Sequence, residues 1–117
     1  MDKSNAILAL AALGQDTRLD VFRHLVKVSP ERVSAGDLAE RFAVRPNTLS
    51  THLAQLQRAG LIASEREGRL IRYRADHEGI AGLLDFLVGD CCGGRPEVCG
   101  SLTLVAAADG RGVVGTD

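Results

Sequence analysis

The segment Pro46–Arg74 reads PNTLSTHLAQLQRAGLIASEREGRLIRYR, and its first half is punctuated as a helix. Proline is favoured at the first helical position, where its missing N–H is not needed, and glycine is favoured just past the last. Pro46 and Gly60 stand at those two places. Between them Leu49, Leu53 and Leu56 recur at helical spacing and make one buried stripe. Asn47, Thr48, Ser50, Thr51, Gln55 and Arg58 fall largely on other faces. Small hydrogen-bonding groups at that density suit contact with base edges and phosphates, although the same residue types decorate ordinary solvated helices.

The second half favours DNA. In Leu61–Asp76, Ile62, Leu70, Ile71 and Tyr73 form two short strands about a turn at Glu67 and Gly68, and this hairpin carries Arg66, Arg69, Arg72 and Arg74. Upstream, a short helix runs from Ser34 to about Phe42, with Ser34 and Asp37 spaced as a capping pair. Ala43 and Val44 then make a tight connection to Pro46. Helix, turn, helix and basic hairpin define a winged helix-turn-helix, a mainly α fold with a small β-hairpin wing. Its second helix enters the major groove, and the wing holds phosphates or reaches a neighbouring minor groove. The candidate DNA contacts are therefore Arg45, Asn47, Thr48, Ser50, Thr51 and His52 from the helix, and Arg66, Arg69, Arg72 and Arg74 from the wing.

Two further helices precede this unit. Asn5–Leu13 is so rich in Ile7, Leu8, Leu10 and Leu13 that few positions are left to face water, which points to burial against a partner as well as the core. A second helix opens near Asp16 as N-cap, sets Leu19, Phe22, Leu25 and Val26 on one stripe, and has ended by Pro30.

Composition agrees with one ordinary domain. A chain of 117 residues buries roughly two-thirds of the surface it exposes when unfolded. No apolar run approaches the roughly 20 residues that cross a bilayer, and the start, MDKSNAILALAALGQD, lacks a convincing signal-cleavage site. The expectation is a cytoplasmic protein with free thiols and no membrane partner. Aromatic residues make up 3% of the chain, too few for a platform that stacks single strands. The net charge of −1 hides an uneven distribution: Arg41–Arg74 holds seven arginines against Glu65 and Glu67, whereas Ala75–Asp117 holds two arginines against seven acids. Such a basic middle fits an anionic partner, and by charge alone it fits a solvated surface equally well.

The runs LAALGQDTRLDVFRHLV, LAERFAVRPNTLSTHLAQLQRAGLI and EREGRLIRYR resemble the DNA-binding core of the arsenical-resistance and metal-sensing repressors, the ArsR/SmtB family. The resemblance covers about Leu8 to Val88, and Ser50–Leu53 with the following AGLI is its most specific part. It implies a homodimer that binds double-stranded operator DNA when ligand-free and leaves it when ligand binds. The first helix and the late helix would form the dimer interface, in keeping with the apolar excess at Ile7–Leu13 and Ile80–Val88.

The ligand site departs from the family's best-known patterns. The stretch where some arsenic sensors carry a C-x-C pair reads SAGDLAERF here, without cysteine. The late helix offers Asp76, His77, Glu78 and Asp85 without the second histidine of a zinc site. There remain Cys91, Cys92 and Cys99, the only cysteines of the chain, which resemble the thiols of arsenite sensors that bind at the end of the late helix. Trivalent arsenic or antimony is thiophilic and takes three thiolates in a pyramid, and soft thiolates select soft acceptors. Zinc normally needs a fourth ligand, and the nearest histidine, His77, lies fourteen positions before Cys91. The chain from Cys92 to Cys99 can extend about 23 to 25 Å, so a return through Gly93, Gly94 and Pro96 has slack. Arg95 is placed to lower the thiol pKa values.

The chain is thus read as a domain over residues 1–99 with the thiol site at its end, and a flexible tail over 100–117. The function expected is an arsenite-responsive repressor that needs no cofactor, with As(III) or Sb(III) as its inducer. A thiol redox-sensing repressor of the same fold is the alternative, because an exposed thiolate cluster is also an oxidation target. An enzyme is not expected. Phosphatase-type arsenate reductases need a Cys followed by five residues and an Arg, whereas Arg95 follows Cys91 by four positions and Cys92 by three. No phosphate-binding glycine loop or nucleophile elbow appears either.

Overall fold

The structure is a computed structural model that describes residues 1–89. Cys91, Cys92, Cys99 and the boundary expected after residue 99 lie outside the described residues. The chain runs α1 (Lys3–Leu13), α2 (Asp16–Val28), β1 (Val33–Ser34), α3 (Ala35–Phe42), α4 (Pro46–Arg58), β2 (Ile62–Glu67), β3 (Leu70–Ala75) and α5 (His77–Val88).

Short polar side chains set most of the helix starts. Asp2 accepts from the Asn5 amide at 2.8 Å, so α1 begins two residues earlier than its apolar pattern. Gln15, not Asp16, caps α2, its Oε1 accepting from the Arg18 amide at 2.8 Å. Asp16 instead sits in the first turn, facing the positive end of the helix dipole. The expected Ser34 cap is present, with Oγ accepting from the Asp37 amide at 3.1 Å. Ala43 ends α3 in the left-handed region at φ 55°, which produces the tight turn into Pro46 at the start of α4.

Leu49, Leu53 and Leu56 of α4 form the centre of the core, together with Val21 and Leu25 of α2, Leu38 of α3, and Leu61 and Ile62 at the start of the wing. On α2 the buried stripe is centred on Val21 and Leu25, with Phe22 and Val26 partly buried. Leu19, expected on that stripe, is 40% exposed. It lies two positions before Val21, about 200° around the helix and so away from the Val21–Leu25 stripe, although it keeps helical spacing with the half-buried Phe22 and Val26.

The strands form an antiparallel sheet in the order β1-β3-β2. In the hairpin the pairing runs from Ile62 opposite Ala75 to Glu67 opposite Leu70, which leaves Gly68 and Arg69 as a two-residue loop. Gly68 has φ +63° and Arg69 is not among the positive-φ residues, the pattern of a type II′ turn. The turn therefore sits one residue later than Glu67–Gly68. The sequence pattern gives no sign of β1. It pairs Val33 with Tyr73 and Ser34 with Arg72, so the wing is anchored to the chain that enters α3.

α1 buries Ala6, Ala9 and Ala12, and Leu13 at its end packs half-buried against the core. Three of its large apolar side chains face out, with Ile7 56% exposed and Leu8 and Leu10 also exposed. On α5 only Leu83 is buried, while Leu84, Phe86 and Leu87 are exposed. The two helices pack against each other. Among the described residues no helix is long and apolar enough to cross a membrane.

Candidate nucleic-acid interface

With its leucines buried, α4 presents mostly polar groups outward, alongside the small apolar Pro46 and Ala54. Arg45, Asn47, Thr48, Ser50, Thr51 and Arg58 are all exposed. Thr51 Oγ1 donates back to the Asn47 carbonyl at 3.3 Å, which leaves its lone pairs free to accept. Arg45 occupies the N-cap position with no side-chain cap bond, so the first amides of α4 have no side-chain acceptor, an arrangement suited to a phosphate. The helix is tied to the wing where Gln57 Nε2 donates to Ser64 Oγ at 3.1 Å.

His52 lies on the flank of α4 and is partly buried. Its Nδ1 is 3.3 Å from Nη1 of Arg18, an α2 residue. Burial first, and then the neighbouring Arg18 charge, lower its pKa, so the ring is neutral at pH 7. His24 packs edge-on to Phe42 with centroids 5.7 Å apart, and burial, Arg41 and Lys27 lower its pKa in turn. It belongs to the packing of α2 on α3.

The wing arginines fall into two pairs. Arg72 Nε meets Glu67 Oε1 at 2.8 Å, and Arg74 Nε meets Glu65 Oε2 at 3.2 Å. Arg32, just before β1, contacts Glu65 and reaches Glu67 Oε2 at 3.0 Å with its other nitrogen. Cross-strand pairing puts these side chains on one face of the sheet, because Glu65 lies opposite Arg72 and Ala63 opposite Arg74. The hydrogen bonds from Arg32 and then Arg74 hold the Glu65 carboxyl below its usual pKa. The side chains of Arg66 and Arg69, at the exposed tip, have no hydrogen bond or ion pair among the described residues. Sequence reasoning missed Arg32, which lies outside the basic middle segment and acquires its role through a pairing thirty-three residues away in the chain.

At the start of the late helix two polar residues have structural roles. Asp76 caps α5 by accepting from the Gly79 amide at 3.2 Å, and His77 Nε2 lies 2.7 Å from Ser29 Oγ. Among the described residues no group of three His, Cys, Asp or Glu is placed to hold a metal ion.

This geometry of a polar helix set beside a cationic hairpin defines a winged helix-turn-helix DNA-binding protein. A family model described as a helix-turn-helix domain matches residues 13–65. The HTH-type transcriptional regulator YbzH of Bacillus subtilis is 31% identical over 90 residues, which cover 65% of this chain and 88% of YbzH. An ArsR-like transcriptional regulator from Rhodococcus superposes with a TM-score of 0.65 at 28% identity, covering 90% of this chain and 91% of its own. The homodimeric winged helix-turn-helix DNA-binding domain Mb0332 of Mycobacterium bovis superposes with a TM-score of 0.60 at 26% identity, covering 74% and 80% of the two chains. The chain belongs to the helix-turn-helix transcriptional regulators, and it shares the winged fold of ArsR-like regulators. Both fold and relatives are those of DNA-binding regulators, not enzymes.

Proposed function

We propose that the chain is a homodimeric cytoplasmic repressor that binds double-stranded operator DNA through α4 and the wing, and that arsenite or antimonite bound by Cys91, Cys92 and Cys99 releases it. The observation that carries the DNA reading is the exposed face of α4, Asn47 to Arg58, beside the unpaired Arg66 and Arg69. α4 reads base edges through Asn47, Thr48, Ser50 and Thr51, while Arg45 and the tip arginines neutralise phosphates. Arg72 and Arg74 chiefly shape the wing, and His52 supplies one donor at the flank. The dimer is supported by the apolar faces of α1 and α5 and by the homodimeric relative.

The inducer reading rests on the donor set. All three thiols of the chain fall within nine residues that begin three positions after α5 ends, and three thiolates suit a soft, pyramidal, trivalent centre. Asp76 and His77 are engaged in capping and hydrogen bonding, which makes a zinc site on α5 the poorer fit. Because α5 carries part of the proposed dimer face, ligand binding next to its end shifts the spacing of the two α4 helices. By linkage, operator DNA weakens arsenite binding by the factor by which arsenite weakens operator binding.

The test is fluorescence anisotropy of a labelled operator, obtained by selection from random duplexes, with reduced protein titrated first with arsenite and then with zinc. Release by arsenite alone, abolished in Cys91→Ser, Cys92→Ser and Cys99→Ser proteins that still bind DNA, is the expected result. Release by neither ligand would overturn the inducer assignment. Release by mild oxidant, reversed by reductant, would move the same thiols to redox sensing.

A further inference from the structure

We infer that Arg18 is a positioning residue of the recognition helix: one guanidinium joins the end of α1 to α4 and fixes the His52 proton on Nε2. The inference rests on the reading of α4 as the DNA-contacting helix. Arg18 Nε donates to the Ala12 carbonyl at 2.7 Å, and Nη1 lies 3.3 Å from His52 Nδ1. The backbone that carries it is itself pinned, since the Arg18 amide is the donor to the Gln15 cap.

Each contact answers a specific need. The last carbonyls of a helix have no intrahelical donor and favour a cation. α1 has no basic residue in its last turn, and the Gly14 amide serves the Ala11 carbonyl. The Ala12 carbonyl is left for Arg18, which supplies from α2 the cation that α1 lacks. At the other branch, an arginine donates and cannot accept. His52 Nδ1 must therefore be the bare, accepting nitrogen, and a neutral ring then carries its proton on Nε2. His52 thus keeps a donor of fixed identity on the flank of α4. Because α1 also bears the exposed Ile7, Leu8 and Leu10, the seat of α4 depends on the helix with the outward apolar face.

Two readouts on the full chain test this. The His52 ring nitrogens, observed by NMR on the wild-type protein at neutral pH, should show a bare Nδ1 and a protonated Nε2. In Arg18→Met the two tautomers should mix and the His52 pKa should rise, because a cation that opposes its charging has gone. Operator affinity should fall about tenfold in Arg18→Met and in His52→Leu, with the double variant no weaker than the worse single one, as for two ends of one contact. A proton on Nδ1 in the wild type, additive losses, or operator binding by Arg18→Met equal to that of wild type would overturn the inference while leaving α4 as the DNA helix. Absence of any duplex binding by the wild type would overturn both readings. The tautomer needs no variant, so the test survives a substitution that does not fold.

Discussion

Arg72 and Arg74 each donate to a glutamate on the neighbouring strand, whereas Arg66 and Arg69 have no such partner among the described residues. Within one hairpin, charge thus divides between shaping the wing and offering free cations to phosphate. Glu67 holds both Arg72 and Arg32. Glu67→Gln should therefore loosen two cations and remove an anion from the wing, giving operator binding about two- to fivefold tighter and steeper in salt, read by anisotropy. Unchanged affinity would mean that these pairs do not compete with DNA. Glu65 makes a pH prediction. Its folded-state pKa lies below the ordinary value, chiefly through Arg32 and Arg74. The stabilisation is fully present above the unfolded carboxylate pKa and is lost as pH falls through the lower folded one. Between about pH 5 and 3 the melting temperature of wild type should drop more steeply than that of Glu65→Gln. Parallel curves would show that the network adds nothing to stability.

At the scale of elements, the join between α5 and the rest is the least forgiving place in the fold. A Cβ on Gly79 would lie 1.7 Å from the Gly60 carbonyl oxygen, a backbone atom that cannot rotate away. Gly79→Ala should cost about 2 kcal/mol or more, or displace the first turn of α5; a melting temperature within 2 °C of wild type, on the order of a few tenths of a kcal/mol, would contradict that packing. This close approach was not legible in the sequence, because nothing local marks two glycines nineteen positions apart as touching. The same limit explains β1, a two-residue strand too short to alternate and paired with Tyr73 far along the chain. What was legible is local. Pro46 and Gly60 bracket α4, Leu49, Leu53 and Leu56 give its phase, and Ser34 with Asp37 starts α3, each signal acting within a turn or two of helix. Leu19 misled for the converse reason: several phases fit the apolar residues of α2, and tertiary packing chose the one through Val21. The exposed residues of α4 could be named from spacing, but the division of the wing arginines and the Arg18–His52 contact required the fold.

For the whole molecule, α1 explains its own composition. Its inward side is mostly alanine, which lets neighbouring helices approach, while Ile7, Leu8 and Leu10 are exposed on α1 and Leu84, Phe86 and Leu87 on α5, which packs against it. Apolar groups left exposed on adjoining helices are what a self-complementary interface provides. Ile7→Lys with Phe86→Lys should shift the chain from dimer to monomer in light scattering and weaken operator binding at least tenfold, since paired half-sites need paired helices; a dimer that survives both changes would place the interface elsewhere. The central claim, that α4 and the wing tip form the DNA interface, is tested most directly by the salt dependence of duplex binding. For wild type, log K should fall linearly with log salt. In Arg69→Ala the slope should flatten by about two per dimer, one for each phosphate that is no longer neutralised, and in Arg66→Ala with Arg69→Ala by about twice that. A slope that stays at the wild-type value in both proteins would contradict the account.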